Sequence, residues 1–336
     1  MFEYAVYIGR FQPFHNAHLE SVRFALNQAE KVIVVIGSAA GARNIKNPWS
    51  AAERIAMVTS CFTPEENDRI SFVLAKDYLY NDNRWKAALQ ASIGEATCGS
   101  KNVVLIGHKK DASSFYLKLF KKWTMMEAGV LIPLDATKVR ELLFRQDKIG
   151  IAHLVPKPVN DMLVNYMMTP EYIRLHEEFH HINDYQAQWS GAPFPPIFST
   201  VDAIVVCSGH VLVVRRKGAP GRGLIALPGG YMNANEGILD ACLRELKEET
   251  AIKVSLEKLK DCVAEEKAFG HPNRSLRGRT ITHAFCINLG DADLPVVKGM
   301  DDADRAWWMS LRDVALNEDK FFDDHYHIIT HFVSKF

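Results

Sequence analysis

Residues 9–18 read Gly9-Arg10-Phe11-Gln12-Pro13-Phe14-His15-Asn16-Ala17-His18. A short apolar strand over Tyr4–Ile8 runs into this segment, the chain turns at Gly9 and Pro13, and a helix starts around Asn16. A helix N-terminus offers unpaired N–H groups and the positive end of a dipole, which suits phosphate. His15 and His18 lie three apart, so within one turn they face the same way. Two imidazoles there can hydrogen-bond a triphosphate and stabilise charge on a pentacoordinate phosphorus. Two surface histidines at a helix start would show the same spacing.

Working outward, the first half alternates strands with helices. Helical periodicity covers Leu19–Gln28, Ala51–Cys61 and Trp85–Ile93, and closing helices cover Thr137–Phe144 and Val159–Met167. Between them, Lys31–Ile36, Ile70–Leu74 and Asn102–Ile106 read as strands, with a last strand expected at Val130–Leu134. Strands separated by helices imply a parallel, doubly wound sheet. The second half differs, with strands at Val201–Val206 and Val211–Arg216, a helix at Ile238–Thr250, and strands at Val263–Lys267 and Thr280–Ile287. A Trp307-Trp308 strand and a helix over Phe321–Phe332 complete it. The fold class expected is α/β: a Rossmann-like doubly wound domain followed by an α+β domain. The expected bounds are 1–170 and 199–336, joined by a helical, proline-bearing connector over 171–198.

The chain has 336 residues, enough for two cores, and Lys plus Arg balances Asp plus Glu at 40 against 40. A chain-wide cationic surface for nucleic acid is therefore not expected. The six cysteines form no C-x-x-C pair, so they read as reduced thiols of a cytoplasmic protein. The N-terminal stretch does not read as a signal peptide, and no span of a membrane is expected, because no apolar run is long enough. The sequence is compatible with a homo-oligomer.

The run GRFQPFHNAHLE resembles the signature of the HxGH nucleotidyltransferase superfamily, in the form shown by archaeal-type nicotinamide mononucleotide adenylyltransferases. Ala17 stands where that pattern has Gly. Four further elements follow in family order: Gly37-Ser38-Ala39, Asn47-Pro48-Trp49-Ser50-Ala51-Ala52-Glu53-Arg54, Asn81-Asp82-Asn83-Arg84-Trp85, and Ala136-Thr137-Lys138-Val139-Arg140. In the last, Leu134-Asp135 replaces the usual Ile-Ser. The resemblance implies attack of the mononucleotide (NMN) phosphate on the α-phosphorus of ATP, with His15, His18 and Arg140 as catalytic groups. It further implies ATP or NMN contacts from Gly9, Arg10, Phe11, Gly37, Ser38, Asn47, Asn83, Gly107, His108 and Thr137. Trp85 would stack on the pyridinium face; a lone Trp would more often be core.

The second half carries Gly230, Glu236 six residues on, then Arg244-Glu245-Leu246-Lys247-Glu248-Glu249-Thr250-Ala251-Ile252. Glu245, Glu248 and Glu249 fall at i, i+3 and i+4, so they share one helix face. Three crowded carboxylates repel unless a hard cation neutralises them. Glu236 and Arg244 are expected to pair and hold the loop on the helix. Gly229-Gly230 is expected to give a tight loop before it. This stretch resembles the Nudix box, with Ala251 replacing its last Gly. The resemblance implies Mg²⁺ or Mn²⁺ held by Glu245, Glu248 and Glu249.

The loop Phe269–Arg279 resembles that of ADP-ribose-type Nudix proteins. There Arg274, Arg277 and Arg279 either meet substrate phosphate or are solvated loop charges. Asp301-Asp302-Ala303-Asp304 is either a further acidic arm or a polar turn. The order of the two halves resembles a bifunctional bacterial family that fuses a nicotinamide mononucleotide adenylyltransferase to an ADP-ribose pyrophosphatase. Two alternatives remain beside it. One is an enzyme preferring the deamido mononucleotide, with a Nudix domain for another nucleoside diphosphate derivative. The other is a Nudix-like ADP-ribose sensor, against which the intact box acids argue.

Overall fold

A computed structural model describes residues 1–107, 123–129 and 134–334. Two compact units divide the chain, Met1–His176 and Glu177–Phe336, and the division falls inside one helix, Pro170–Ala187.

In the first unit, the strands are β1 (Phe2–Gly9), β2 (Ala29–Ile36), β3 (Ile70–Leu74), β4 (Val103–Gly107) and β5 (Thr124–Glu127). The helices are α1 (Asn16–Gln28), α2 (Ala51–Thr59), α3 (Pro64–Asn67), α4 (Asp82–Ala96), α5 (Ala136–Phe144), α6 (Lys148–Ala152) and α7 (Lys157–Tyr166), with α8 (Pro170–Ala187) leaving it. All strand pairings are parallel, in the order β3-β2-β1-β4-β5. The order reverses between β1 and β4, the edge at which doubly wound sheets bind ligands. The apolar run of β2 explains its central place: Val32–Ile36 are buried throughout. Helix α1 buries Ala17, Ser21, Val22, Ala25 and Leu26, one stripe at helical spacing. The strand expected at Val130–Leu134 lies, except for Leu134, outside the described residues.

In the second unit, a seven-stranded mixed sheet runs β10-β11-β6-β7-β12, with β8 on β7 and β9 on β6. These strands are β6 (Ile197–Cys207), β7 (His210–Arg216), β8 (Ile225–Ala226), β9 (Gly229–Tyr231), β10 (Val263–Phe269), β11 (Arg279–Asn288) and β12 (Ala303–Ser310). Ser208 and Gly209 both have positive φ, 44° and 70°, the geometry of a two-residue hairpin turn joining β6 and β7. Helix α9 (Ile238–Thr250) packs Ala241, Cys242, Leu243 and Leu246 onto Val201, Ala203, Val205, Phe285 and Ile287 of the sheet. Two short helices follow, α10 (Leu256–Asp261) and α11 (Leu311–Leu316).

The C-terminal helix α12 covers His325–Val333 and starts later than its apolar pattern suggests. Phe321 bridges to Ile225 and the Phe322 N–H donates to the Ile225 carbonyl (2.8 Å), so both rings are buried by a strand-like segment. Asp323, with φ of 44°, then breaks the chain before the helix.

Candidate active sites

The first site grows from the end of β1. A Cβ on Gly9 would stand 2.8 Å from the Phe11 ring, so Gly9 answers to Phe11, buried with a left-handed φ of 52°. Gln12 is buried and clasps Trp49: Nε2 donates to the Trp49 carbonyl (2.9 Å), and Oε1 accepts from the Trp49 N–H (3.1 Å). Arg54, 1% exposed, donates to the carbonyls of Arg10 (2.7 Å), Gly37 (2.6 Å), Ser38 (3.2 Å) and Ser50 (3.2 Å). Hydrogen bonds from a charged group contribute roughly 1.5–3 kcal/mol each. Arg54 is thus the tie between the loops after β1 and β2. Burial pulls its pKa down to about 10, so it stays charged at neutral pH. Ser50 and Glu53 close a capping box on α2, so this motif also builds its own helix start.

His15 caps α1, and its backbone N–H donates to His18 Nδ1 at 3.3 Å. An accepting Nδ1 leaves the neutral ring's proton on Nε2, which makes His18 Nε2 a donor. The two imidazoles stack with centroids 3.5 Å apart, and His18 also lies against Phe14 (5.7 Å) and edge-on to Phe11 (4.9 Å). Ala17 belongs to the packed stripe of α1, so its methyl replaces the Gly hydrogen toward the interior.

Arg140, 6% exposed, donates to the Gln12 carbonyl (2.6 Å) and to Thr137 Oγ1 (3.1 Å). Burial first, then Arg10, pull its pKa down to about 10. Asp135, standing where the family has Ser, caps α5 by accepting the Thr137 N–H (2.8 Å). Lys46 was not anticipated, because a lysine preceding Asn47 follows no spacing rule. Burial, then Arg10 and Arg140, hold its pKa down, so Lys46 shares its surroundings with these two cations. The Oδ1 of Asn47 is buried without a hydrogen-bond partner among the described residues.

Gly37 donates its N–H to the Gly9 carbonyl (2.8 Å), and Gly107 ends β4. His108 lies outside the described residues. Asn83 and Trp85 are held by the first turn of α4, which Asn81 caps by accepting the Arg84 N–H (3.0 Å). Trp85 is half-buried against the core of Val6, Val35, Leu89 and Leu105.

The second site is built on α9. Arg244 is its hub: Nε and Nη2 grip both oxygens of Glu236 (2.9 and 2.7 Å), Nη2 reaches the Tyr231 carbonyl (3.1 Å), and Nη1 reaches Glu245 and Glu248 (2.8 Å each). The Glu236 carboxyl is held down at about 2 by these Arg244 bonds. The loop is therefore pinned to the helix as expected, and the same guanidinium spans two of the three box carboxylates. Glu249 is buried and accepts the Gly229 N–H (3.0 Å).

The need for Gly229 and Gly230 is close approach, not a turn: both lie in β9 without positive φ. A Cβ on Gly229 would meet the Val201 carbonyl oxygen at 2.1 Å, and one on Gly230 would meet the Glu245 carboxylate at 2.7 Å. Ala251 ends α9 in the left-handed region (φ 43°), which costs about 1–2 kcal/mol relative to Gly.

The three arginines separate. Arg274 is not a solvated loop charge: it is 7% exposed and its Nε and Nη2 grip Asp324 (2.9 and 3.0 Å). This pairing with a residue fifty positions away is one that the spacing of the loop did not signal. Arg277 lies over the Tyr231 ring (5.3 Å), and Arg279 donates to the Thr280 carbonyl (3.3 Å). Asp304 pairs with Arg215 (2.8 Å), whereas burial first, with a smaller contribution from Asp301, raises the Glu245 pKa, and burial first, with a smaller contribution from Asp302, raises that of Glu249.

Among the described residues no three His, Cys, Asp or Glu side chains are already arranged to hold a metal ion. The donor set nevertheless fits a hard cation. Burial first, with Glu245 adding to it against the Gly229 N–H, pushes Glu249 up to about 8. An acid whose folded pKa exceeds its unfolded value stabilises the fold below the unfolded value, about 4.3, and loses that contribution as pH rises through the folded one. The metal-free second unit is therefore expected to lose thermal stability from about pH 4.5 to about pH 8. Glu249→Gln is expected to flatten that profile and to raise the melting temperature near pH 8 by several degrees, roughly 2–4 °C per kcal/mol. Calorimetry in chelator checks this, and a slope unchanged by the substitution excludes Glu249 as its source.

A cytidylyltransferase-like family model matches residues 6–122, and a NUDIX domain model matches residues 197–332. The nicotinamide/nicotinic acid mononucleotide adenylyltransferase of Acinetobacter baylyi is 41% identical over 179 residues, covering 53% of this chain and 94% of the relative. The ADP-ribose pyrophosphatase of Methanocaldococcus jannaschii is 32% identical over 128 residues, covering 37% of this chain and 70% of the relative. A bifunctional NMN adenylyltransferase/ADP ribose pyrophosphatase from Francisella tularensis, crystallised with AMP and a manganese ion, superposes with a TM-score of 0.92 at 34% identity, covering 100% of this chain and 99% of that one. With a parallel nucleotidyltransferase sheet, a Nudix helix on a mixed sheet, and both matched end to end by one two-domain protein, this chain belongs to the family of bifunctional NMN adenylyltransferase/ADP-ribose pyrophosphatases.

Proposed function

We propose that the first unit makes NAD from NMN and ATP, and that the second hydrolyses ADP-ribose to AMP and ribose 5-phosphate. The observation that carries the first activity is the stacked His15–His18 pair at the start of α1, with the His15 N–H held by His18 Nδ1. An NMN phosphate oxygen attacks the α-phosphorus, the bond to the bridging oxygen breaks, and diphosphate leaves. No side chain need act as nucleophile. His18 donates to the charge that builds on the phosphorus, and the cations Arg10, Lys46 and Arg140 hold the departing diphosphate. Gly9, Arg10, Phe11, Gly37, Ser38, Gly107, His108 and Thr137 shape the ATP pocket in this reading. Asn47 offers its amide. Mg²⁺ or Mn²⁺, when bound, supplies further charge neutralisation.

In the second unit, Glu245, Glu248 and Glu249 would hold the same kind of cation, which would supply the charge to polarise the diphosphate and activate water. Arg277 and Arg279 would face the substrate. The functional domains span 1–170 and 199–336, with 171–198 as connector. The substrates are ATP, NMN and ADP-ribose; nucleic acid and membrane are not partners in this reading. The six unpaired cysteines support a cytoplasmic setting. The Acinetobacter baylyi relative is named for both mononucleotides, which keeps the deamido form as a second acceptor. Chromatography of products, from intact protein given divalent cation with ATP plus NMN or with ADP-ribose, tests both activities. Absence of NAD, or of AMP, overturns the corresponding half.

Trp85→Ala is expected to raise the KM for NMN by about 10-fold and to leave that for ATP unchanged, since stacking on the pyridinium is lost. Steady-state kinetics decides. Equal losses for both substrates would make Trp85 a packing residue only, as its contact with the core permits.

A further inference from the structure

On the reading of the acidic face of α9 as a cation site, we infer that His325 is a positioning residue for that site: it fixes the start of β9, and β9 in turn holds Glu249 and Arg244. No motif pointed to His325. The chain changes partner strand just before β9. Strand β8 pairs with β7, Ala226 opposite Val214, whereas β9 pairs with β6, Gly229 opposite Asp202. Leu227 and Pro228 make the crossing. Proline has no N–H, and the Pro228 carbonyl accepts the Ala203 N–H (2.8 Å). The N–H of buried Leu227 lies past the β8 ladder, where an unmade hydrogen bond is expensive. His325, 98 positions away in the chain, supplies the acceptor: its Nδ1 takes the Leu227 N–H at 2.8 Å.

Strand β9 brings little packing of its own. It is three residues long and two of them are glycines, which carry no side chain to hold it. Yet its backbone serves the box twice. The Gly229 N–H donates to Glu249 (3.0 Å), and the Tyr231 carbonyl accepts from Arg244 Nη2 (3.1 Å). A shift at Leu227 therefore reaches the acidic face at two points. The surroundings of His325 resist that shift. It is the first residue of α12, 7% exposed, and its ring centroid lies 5.6 Å from that of Phe322. Phe322 is itself tied to β8 through the Ile225 carbonyl, and Arg274 grips Asp324, the residue before His325. An accepting Nδ1 leaves the proton of the neutral ring on Nε2. That nitrogen stands 4.0 Å from Asp202 Oδ1, and Asp202 Oδ2 accepts from the Thr282 hydroxyl (2.6 Å). Burial, outweighing the opposing charge of Asp324, pulls the His325 pKa down to about 3. The ring is therefore neutral at neutral pH, and Nδ1 remains an acceptor.

The test uses the intact chain without nucleotide. Mn²⁺ binding is measured by calorimetry, and the part of the signal lost in Glu248→Gln identifies the second site. Amide hydrogen exchange from Ile225 to Tyr231 is followed in chelator. His325→Phe keeps a buried ring and removes the acceptor. It is expected to weaken Mn²⁺ by on the order of 10-fold, the scale for groups behind metal ligands, and to speed exchange in that segment. His325→Asn places an oxygen where Nδ1 stood, so both values should return to within about threefold of the parent. His325→Gln, whose amide reaches the place of Nε2 instead, should not restore them. A merely structural role lowers the melting temperature of all three variants and leaves the Mn²⁺ affinity of the folded protein at the parent level; that result overturns the proposal. So does an Asn variant as weak as Phe, since the acceptor would then be irrelevant. Should His325→Phe fail to fold, the comparison of Gln with Asn carries the test. A Mn²⁺ titration that Glu248→Gln leaves unchanged overturns the cation-site reading instead.

Discussion

His18→Ala lowers NAD formation by on the order of 10²-fold or more, the scale for losing one transition-state donor. The argument starts from the cap: the His15 N–H occupies Nδ1, so the proton of His18 sits on Nε2. Alanine removes both the cap acceptor and the donor, so a fall in activity could reflect a frayed helix start. His18→Asn separates the two, because its side-chain oxygen still reaches the His15 N–H while nothing replaces Nε2. We expect Asn to regain most of the lost melting temperature and none of the activity. A cap is worth about 0.5–2 kcal/mol, a stability change that leaves a stable domain folded. Rates of NAD formation and thermal melts of the three proteins check this. Near-parent synthesis in His18→Asn removes His18 from the chemistry.

Glu248→Gln and Glu249→Gln each lower ADP-ribose hydrolysis by on the order of 10²-fold or more, beyond the roughly 10–100-fold usual for residues merely behind the metal ligands. The two substitutions differ in their structural cost. Glu248 is half-exposed, and its link to Arg244 is shared with Glu236 and Glu245. Glu249 is buried, and Gln can still accept the Gly229 N–H. Packing therefore survives in both, while the charge that a divalent cation needs is gone. AMP release at saturating cation, beside NAD formation in the same preparations, measures the effect. Full hydrolysis by both variants would mean that the box does not hold the catalytic cation. Parallel loss of both activities would mean that the two units do not function independently.

Much of this was legible in the chain itself, because local spacing determines local geometry. Alternating strands and helices required a parallel sheet in the first unit. The three-residue spacing of His15 and His18 at a helix start put both rings on one turn, and the spacing of Glu245, Glu248 and Glu249 gave one acidic helix face. The pairing of Glu236 with Arg244 was also readable from the box. What the sequence did not contain were contacts between residues far apart in the chain. Arg54 ties Arg10 to Gly37 across the sheet edge, although its motif reads as a plain helix start. Gly229 and Gly230 look like turn residues, yet β9 needs them because Val201 and Glu245 approach too closely for any Cβ. Arg274, Arg277 and Arg279 have the same side chain on one loop. Only the arrival of Asp324 from fifty residues away assigns the first to the interior, and only the Tyr231 ring, from another strand, lies under the second. Spacing along a helix or strand is set by the backbone's own repeat, whereas the partner of a buried charge is set by which distant element folds against it.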